Sequence, residues 1–144
     1  MDKILISIKP MYMEKIILGN KTIELRRRVG RLFLPESEIY LYSSAPVKAL
    51  VAKAFIEKID KMEVIGLGKK KREILHHACI NESDFDNYFS DSNFCYLIHM
   101  KDVTPLKKPM PLRKMREYGL HPPQSFCYLK SDEVSFLQGY WGER

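Results

Sequence analysis

The chain has 144 residues, 45% hydrophobic and 29% charged, with a formal net charge of +6 and a pI near 9.2. That length and balance suit one domain over 1–144 with one sizeable core, and no apolar run approaches the roughly 18 residues of a membrane span. The opening MDKILISIKP has too short an apolar run and no small-residue cleavage site for a secretory leader, so a cytoplasmic protein without a membrane partner is expected.

The first strand is read over 3–9, KILISIK. Ile4, Ile6 and Ile8 alternate with Leu5, Ser7 and Lys9, the pattern of a half-buried strand. Pro10 suits the first turn of a helix, where its missing N–H costs nothing. MYMEKIIL then gives two helical turns with Met13, Ile16 and Ile17 on one stripe, stopped by the αL-tolerant pair Gly19-Asn20. In the second strand Ile23 and Leu25 face the core, while Thr22, Glu24, Arg26 and Arg28 share a wet, charged face.

EIYLYSS is the third strand. VKALVAKAFIEKID is read as a strand over most of its length, although Ala49, Ala52 and Ala54 also suit a helix. GLGKKKR is a bend leading into the helix REILHHAC, and ESDFDNYF is a short helix capped by Asn81 or Ser83. FCYLIHM is the fifth strand, KKPMPL a proline-rich crossing segment, and LRKMREYG a helix ended by Gly119. HPPQSFCYL supplies a rigid turn and a last strand, and DEVSFLQGYW a tail helix. With one βαβ-like unit visible, a doubly wound sheet is disfavoured. A small, mostly antiparallel barrel with helices closing its ends fits better.

Charge is uneven along the chain. Residues 1–31 hold eight Lys/Arg against three acids, residues 101–116 six against one, and residues 82–91 four acids with no base. Two basic regions suit a polyanion reached by electrostatic steering. Cys79, Cys95 and Cys127 form no CxxC pair and are odd in number, which argues against a disulfide framework. His76 and His77 are adjacent and point about 100° apart on a helix, so they do not chelate one metal as an i, i+4 pair would. No metal and no cofactor are expected.

The stretch SIKPMYMEKIILGNKTIELRRR resembles the opening of the activating signal cointegrator homology (ASCH) domain, of the PUA-like superfamily. Its glycine-x-lysine-threonine-x-glutamate-x-arginine pattern stands complete as Gly19, Lys21, Thr22, Glu24 and Arg26. CINESDFDNYF and GLHPPQSFCYL resemble two further stretches of the family, so the likeness covers roughly residues 3–130. The resemblance implies an α+β pseudo-barrel with a cleft beside the first helix, followed here by the tail helix. It also implies a partner that is RNA, another nucleic acid, or a nucleotide or nucleoside.

The candidate ligand-binding set is Lys9, Tyr12, Lys21, Thr22, Glu24, Arg26, Arg28, Ser43, Ser44, Gln124 and Ser125. Thr22, Glu24 and Arg26 are expected to point into one cleft, with Lys21 at its rim. Arg26 and Lys21 suit phosphate, Glu24 a base amino group, and Tyr12, Tyr40 or Tyr42 a stacking face. The competing reading of Glu24 and Arg26 is an ion pair that orders the barrel. Arg27, of opposite parity, belongs outside the cleft.

Some members of the family are enzymes. The amidohydrolase type acts on an acetylated cytidine nucleoside with a lysine, a threonine nucleophile and a later glutamate. Lys21 matches the lysine, but Glu24 stands where the threonine falls, and the later glutamate falls near Ala78-Cys79. A carboxylate does not replace the hydroxyl in that chemistry, so this activity is disfavoured. A ribonuclease would draw on Lys21, Thr22 and Glu24. The first reading is a non-catalytic nucleic-acid or nucleotide binder, the second an RNA-processing hydrolase, and the third a protein-interaction adaptor.

Overall fold

The computed structural model describes residues 3–142, so the ends of the 1–144 domain span lie outside the described residues. Its elements are β1 (Lys3–Ile8), α1 (Pro10–Ile17), β2 (Ile23–Arg26), β3 (Glu38–Ser43), β4 (Ala49–Glu63), α2 (Lys70–Ala78), α3 (Glu82–Tyr88), β5 (Phe94–Pro111), α4 (Leu112–Tyr118), β6 (Phe126–Tyr128) and α5 (Ser131–Tyr140). The six strands form one sheet in the order β2-β5-β4-β3-β1-β6. Among the described residues, β1 and β3 alone pair in parallel and the other ladders are antiparallel. The sheet curls into a half-barrel, the α+β pseudo-barrel expected from the sequence.

Alternation along β1 and β3 divides the interior. Ile4, Ile6 and Ile8, with Ile39 and Leu41, join Met13 and Ile16 of α1 in one core. Leu5, Tyr40 and Tyr42 point the other way and pack with Met115 of α4 and Leu137 of α5. So β1 is not the half-buried strand its pattern suggested. Leu5 is fully buried because α4 and α5, distant in sequence, cover the second face. Ile17, expected on the buried stripe of α1, is 37% exposed instead. It lies in the last turn, just before Gly19 turns the chain with φ 85°. A third core lies under α2 and α3, where Ile23, Leu25 and Leu97 meet Ile74, Phe85 and Phe89.

β4 is a strand throughout, which resolves the helix ambiguity of its alanines: Ala52 and Ala54 are wholly buried in the core under α1. The crossing segment expected at KKPMPL is the far half of β5. β2 pairs β5 only over 96–99, so beyond His99 the ladders given to β5 are those with β4. Pro105, Pro109 and Pro111 therefore fall where β5 has a free edge, the place where a strand tolerates a missing N–H.

The half-barrel is open between its edge strands, β2 and β6. The gap is spanned by a side chain: Arg26 of β2 donates from Nη2 to the Ser7 carbonyl of β1 (2.8 Å) and from Nη1 to Ser125 Oγ beside β6 (3.2 Å). Gly30, on the loop after β2, sits against the Tyr128 ring, which packs on Phe33 and Phe126 with centroids 6.4 and 5.8 Å away. A Cβ at this position would overlap the Tyr128 hydroxyl, which also accepts from the Leu32 N–H. Gly30→Ala is expected to lose about 1–3 kcal/mol of stability, the usual cost of overpacking. Urea denaturation checks this, and an unchanged midpoint would contradict it.

Candidate nucleic-acid interface

A cleft of about 530 Å³ lies between α1, α3 and the gap beside β2. The end of β1 contributes Ser7, Ile8 and Lys9, and α1 contributes Met11 and Tyr12. Lys21, Glu24, Leu25 and Arg26 come from the β2 segment, and Ser44 from the turn after β3. Ile80, Asp84 and Tyr88 line the α3 wall, and Gln124 reaches in from the loop before β6. The lining charges are Lys9, Lys21 and Arg26 against Glu24 and Asp84.

Lys21 is at the floor, not the rim: it is only 3% exposed. The turn at Gly19-Asn20 brings the chain beneath the end of α2, where the Thr22 N–H donates to the His77 carbonyl (2.9 Å). The Lys21 ammonium donates to the carbonyls of Ile23 (2.8 Å) and Ala78 (2.7 Å) and lies 3.3 Å from Glu24 Oε1. Its three protons thus face three oxygens. Burial pushes the Lys21 pKa below the usual lysine value, and the Glu24 carboxylate offsets part of that. The same ammonium sits 4.9 Å from the centre of the Tyr12 ring.

Glu24 Oε2 accepts from Arg26 Nε at 2.8 Å. With the two bonds across the gap, three of the five N–H donors of the guanidinium are in use. Arg26 lines the cleft, yet its fork is committed to the framework rather than open for a bidentate anion. Of the two readings open in the sequence, this geometry supports the ion pair that orders the barrel. The Tyr12 hydroxyl has its pKa raised by burial, then by the Asp84 and Glu24 carboxylates, and so stays a donor at neutral pH.

The structure brings Lys9, Tyr12, Lys21, Glu24, Arg26, Ser44 and Gln124 together in the cleft, with Ser125 bonded to Arg26 at its edge. Thr22 is not among them. It precedes the first ladder residue of β2 and lines a separate cavity of about 410 Å³ with His77 and His99, so strand parity did not govern it. Arg28 lies beyond the end of β2, exposed and outside the lining. Ser43 is buried as the last residue of β3 and does not line the cleft. Tyr40 and Tyr42, offered as stacking faces, are packed on the opposite side of the sheet.

Three polar lining residues escaped the sequence reading: Ser7, Asp84 and Tyr88. The i, i+4 spacing of Asp84 and Tyr88, beside the buried pair Phe85 and Phe89, was the available signal. Tyr88 carries a cation too, with the Arg27 guanidinium 4.5 Å from its ring centre. The two basic regions do not form one face. α1 packs on the core of Ile4 and Ile6, whereas α4 packs on the core of Leu5, across the sheet.

The fold and cleft define a small pseudo-barrel protein of the PUA-like type. No family model matches the chain. It is 28% identical over 134 residues to a Zymomonas mobilis protein named ASCH domain-containing ribonuclease, spanning 92% of this chain and 87% of that one. The crystal structure of ASCH from Zymomonas mobilis superposes with a TM-score of 0.84 at 27% identity, covering 95% of this chain and 94% of that one. Human THYN1, solved in complex with DNA containing 5-methylcytosine, shares the fold at a TM-score of 0.61 and 14% identity, covering 100% of this chain and 99% of that one. Over nearly its whole length the chain is thus similar in sequence and fold to ASCH proteins.

Lys21→Met leaves the buried Glu24 with one cation and two carbonyls without their donor. It is expected to lose about 3–5 kcal/mol at neutral pH, the cost of breaking a buried pair. In the window between the lowered folded pKa of Lys21 and its ordinary value of 10.5, the unfolded chain binds more protons. Stability contributed by this group therefore rises with pH there. The margin of wild type over Lys21→Met should widen toward alkaline pH in parallel denaturation curves. A margin that shrinks would contradict the assignment.

Proposed function

We propose that this chain binds single-stranded RNA, taking one unstacked nucleotide into the cleft between α1 and α3, and does so as a single cytoplasmic domain. The observation that carries the reading is the pair of tyrosines, Tyr12 on one wall and Tyr88 on the other, lining a cleft of about 530 Å³. Each ring has a cation against it, Lys21 for Tyr12 and Arg27 for Tyr88. Aromatic rings stack on bases of any sequence, and basic groups at the mouth meet the phosphates. Lys9 at the end of β1 is the exposed cation placed for that contact. Asp84 supplies an acceptor for a base amino group, and Gln124 both a donor and an acceptor. The relative that is 28% identical carries a name tied to RNA, which supports the same reading.

That name also favours a second reading, cleavage of the bound strand. Cutting RNA at a 2′-hydroxyl needs one group to take a proton and another to return it to the leaving oxygen. Lys21 and Glu24 are poorly suited, because both are saturated by buried contacts, and Thr22 faces the other cavity. Cleavage in this cleft would fall instead to Tyr12 as the proton donor, with Asp84 or Tyr88 opposite it. The amidohydrolase chemistry stays disfavoured by Glu24 at the nucleophile position.

Anisotropy with a labelled single-stranded RNA, followed by a denaturing gel of the same mixture, separates the two readings. Retention without products supports the binder, and products that vanish in Tyr12→Phe support cleavage. In either case Tyr12→Ala and Tyr88→Ala should each weaken binding by about 1–3 kcal/mol per stacked base lost. Affinity should also fall modestly as salt rises, through release of the few counterions displaced by Lys9 and its neighbours. Salt-independent binding, or tyrosine variants that bind like wild type, would overturn the reading.

A further inference from the structure

At the end of the sheet beside Arg26, β4 and β5 form an arm that runs two residues past the short β2, to Glu63 and Phe94. One face of this arm is filled: Cys95 and Leu97 are buried against Ile74, Phe85 and Phe89 of α2 and α3. The other face carries Tyr96 and Phe94 from β5 and Lys61 from β4. Register places these on the cleft's own side of the sheet. Arg26 stands directly across from Tyr96, and Tyr96 directly across from Lys61, so the three side chains share a face in neighbouring strands. Phe94 follows two residues from Tyr96, about 7 Å along the strand, and is 38% exposed. The Lys61 ammonium lies 4.3 Å from the centre of the Phe94 ring and 5.8 Å from that of Tyr96. Glu63, across from Phe94, bounds the row at its far end.

We infer that this row is a stacking platform for single-stranded RNA that continues out of the cleft, a step that rests on the RNA reading above. Arg26 belongs to both the cleft and the row, so the two surfaces are continuous. Two aromatic rings one base apart, with an exposed lysine between them, match the alternation of base and phosphate along an unpaired strand. A duplex keeps its base faces stacked internally and offers nothing for Phe94 and Tyr96 to engage. The cleft therefore holds one nucleotide, and the arm holds the two that follow, with Lys61 beside the phosphate between them.

The experiment compares 5′-AMP with a labelled adenylate octamer on wild type, on Lys61→Ala/Phe94→Ala, on Phe94→Tyr and on the cleft variant Tyr12→Ala. The expected pattern is tighter binding of the octamer than of AMP by wild type. The double variant should lose about tenfold or more on the octamer, the scale of one lost stacked base, and keep its AMP affinity. Phe94→Tyr should bind the octamer like wild type, and Tyr12→Ala should lose both probes. Because Lys61 and Phe94 are exposed, folding of the double variant is not at stake, and its denaturation midpoint verifies this. A double variant that binds the octamer like wild type overturns the platform, as does wild type that gains nothing from length while binding AMP. Loss of AMP along with the octamer in the double variant also overturns it. Failure of wild type to bind either probe sinks the cleft reading instead, and the platform with it.

Discussion

Everything at the open side of this half-barrel hangs on the Glu24 carboxylate. It is nearly buried, with Lys21 on one oxygen and Arg26 on the other. A carboxylate in that position is tolerable only because both neighbours are cations with further hydrogen bonds of their own. Through Lys21 it holds the end of α2 by the Ala78 carbonyl, and through Arg26 it reaches β1 at Ser7. Four residues of β2 pair only with β5, so backbone ladders alone leave this edge of the sheet unjoined. Side-chain charge does the joining. Such a network adds little net stability compared with a well-packed apolar one, yet removing one member is costly, because the remaining charge stays buried without its partner.

The cleft is a consequence of that arrangement. Had β2 paired with β1 or β6, the barrel would have closed and the walls formed by Tyr12 and Tyr88 would have met. Because a guanidinium spans the gap instead, space remains above the ion pairs, floored by charge and walled by aromatic rings. The floor is rigid and saturated, while the groups with free capacity sit higher, on α1, on α3 and on the loop before β6. Motif residues and the lining groups with free hydrogen-bonding capacity are therefore largely different sets here. The conspicuous charges build the site, and less conspicuous tyrosines furnish it.

Charge distribution follows the same separation. The basic run around α4 lies across the sheet from α1, so the overall net charge of +6 is not concentrated at the cleft. Lys101 is paired with Glu36 and Lys114 with Glu117, which leaves part of that second region occupied locally. What faces the cleft is a closer balance of cations and acids. Such a balance suits the proposed capture of one nucleotide better than indiscriminate attraction of a long polyanion.

The sequence by itself determined the elements and much of the family. The alternation of 3–9, Pro10 at a helix start, Gly19 at a turn and Gly119 at a helix end are local signals. Each is set by the backbone freedom of a few adjacent residues, and each stands in the structure. The Gly19–Arg26 pattern carries the likeness to the ASCH fold, and seven of the candidate residues read from the sequence converge on the cleft. Tertiary structure alone decided the rest. Whether Leu5 is wet or dry depends on helices more than a hundred residues away, and whether Lys21 is at a rim or a floor depends on where α2 ends. Thr22 lost its place because strand parity applies only inside a ladder, and the ladder begins one residue later. Asp84 and Tyr88 gained theirs because α3 happens to be laid along the open edge of β2. Periodicity reports which way a side chain points relative to its own element; which neighbours it then meets is set by packing between elements, and one strand carries no record of that.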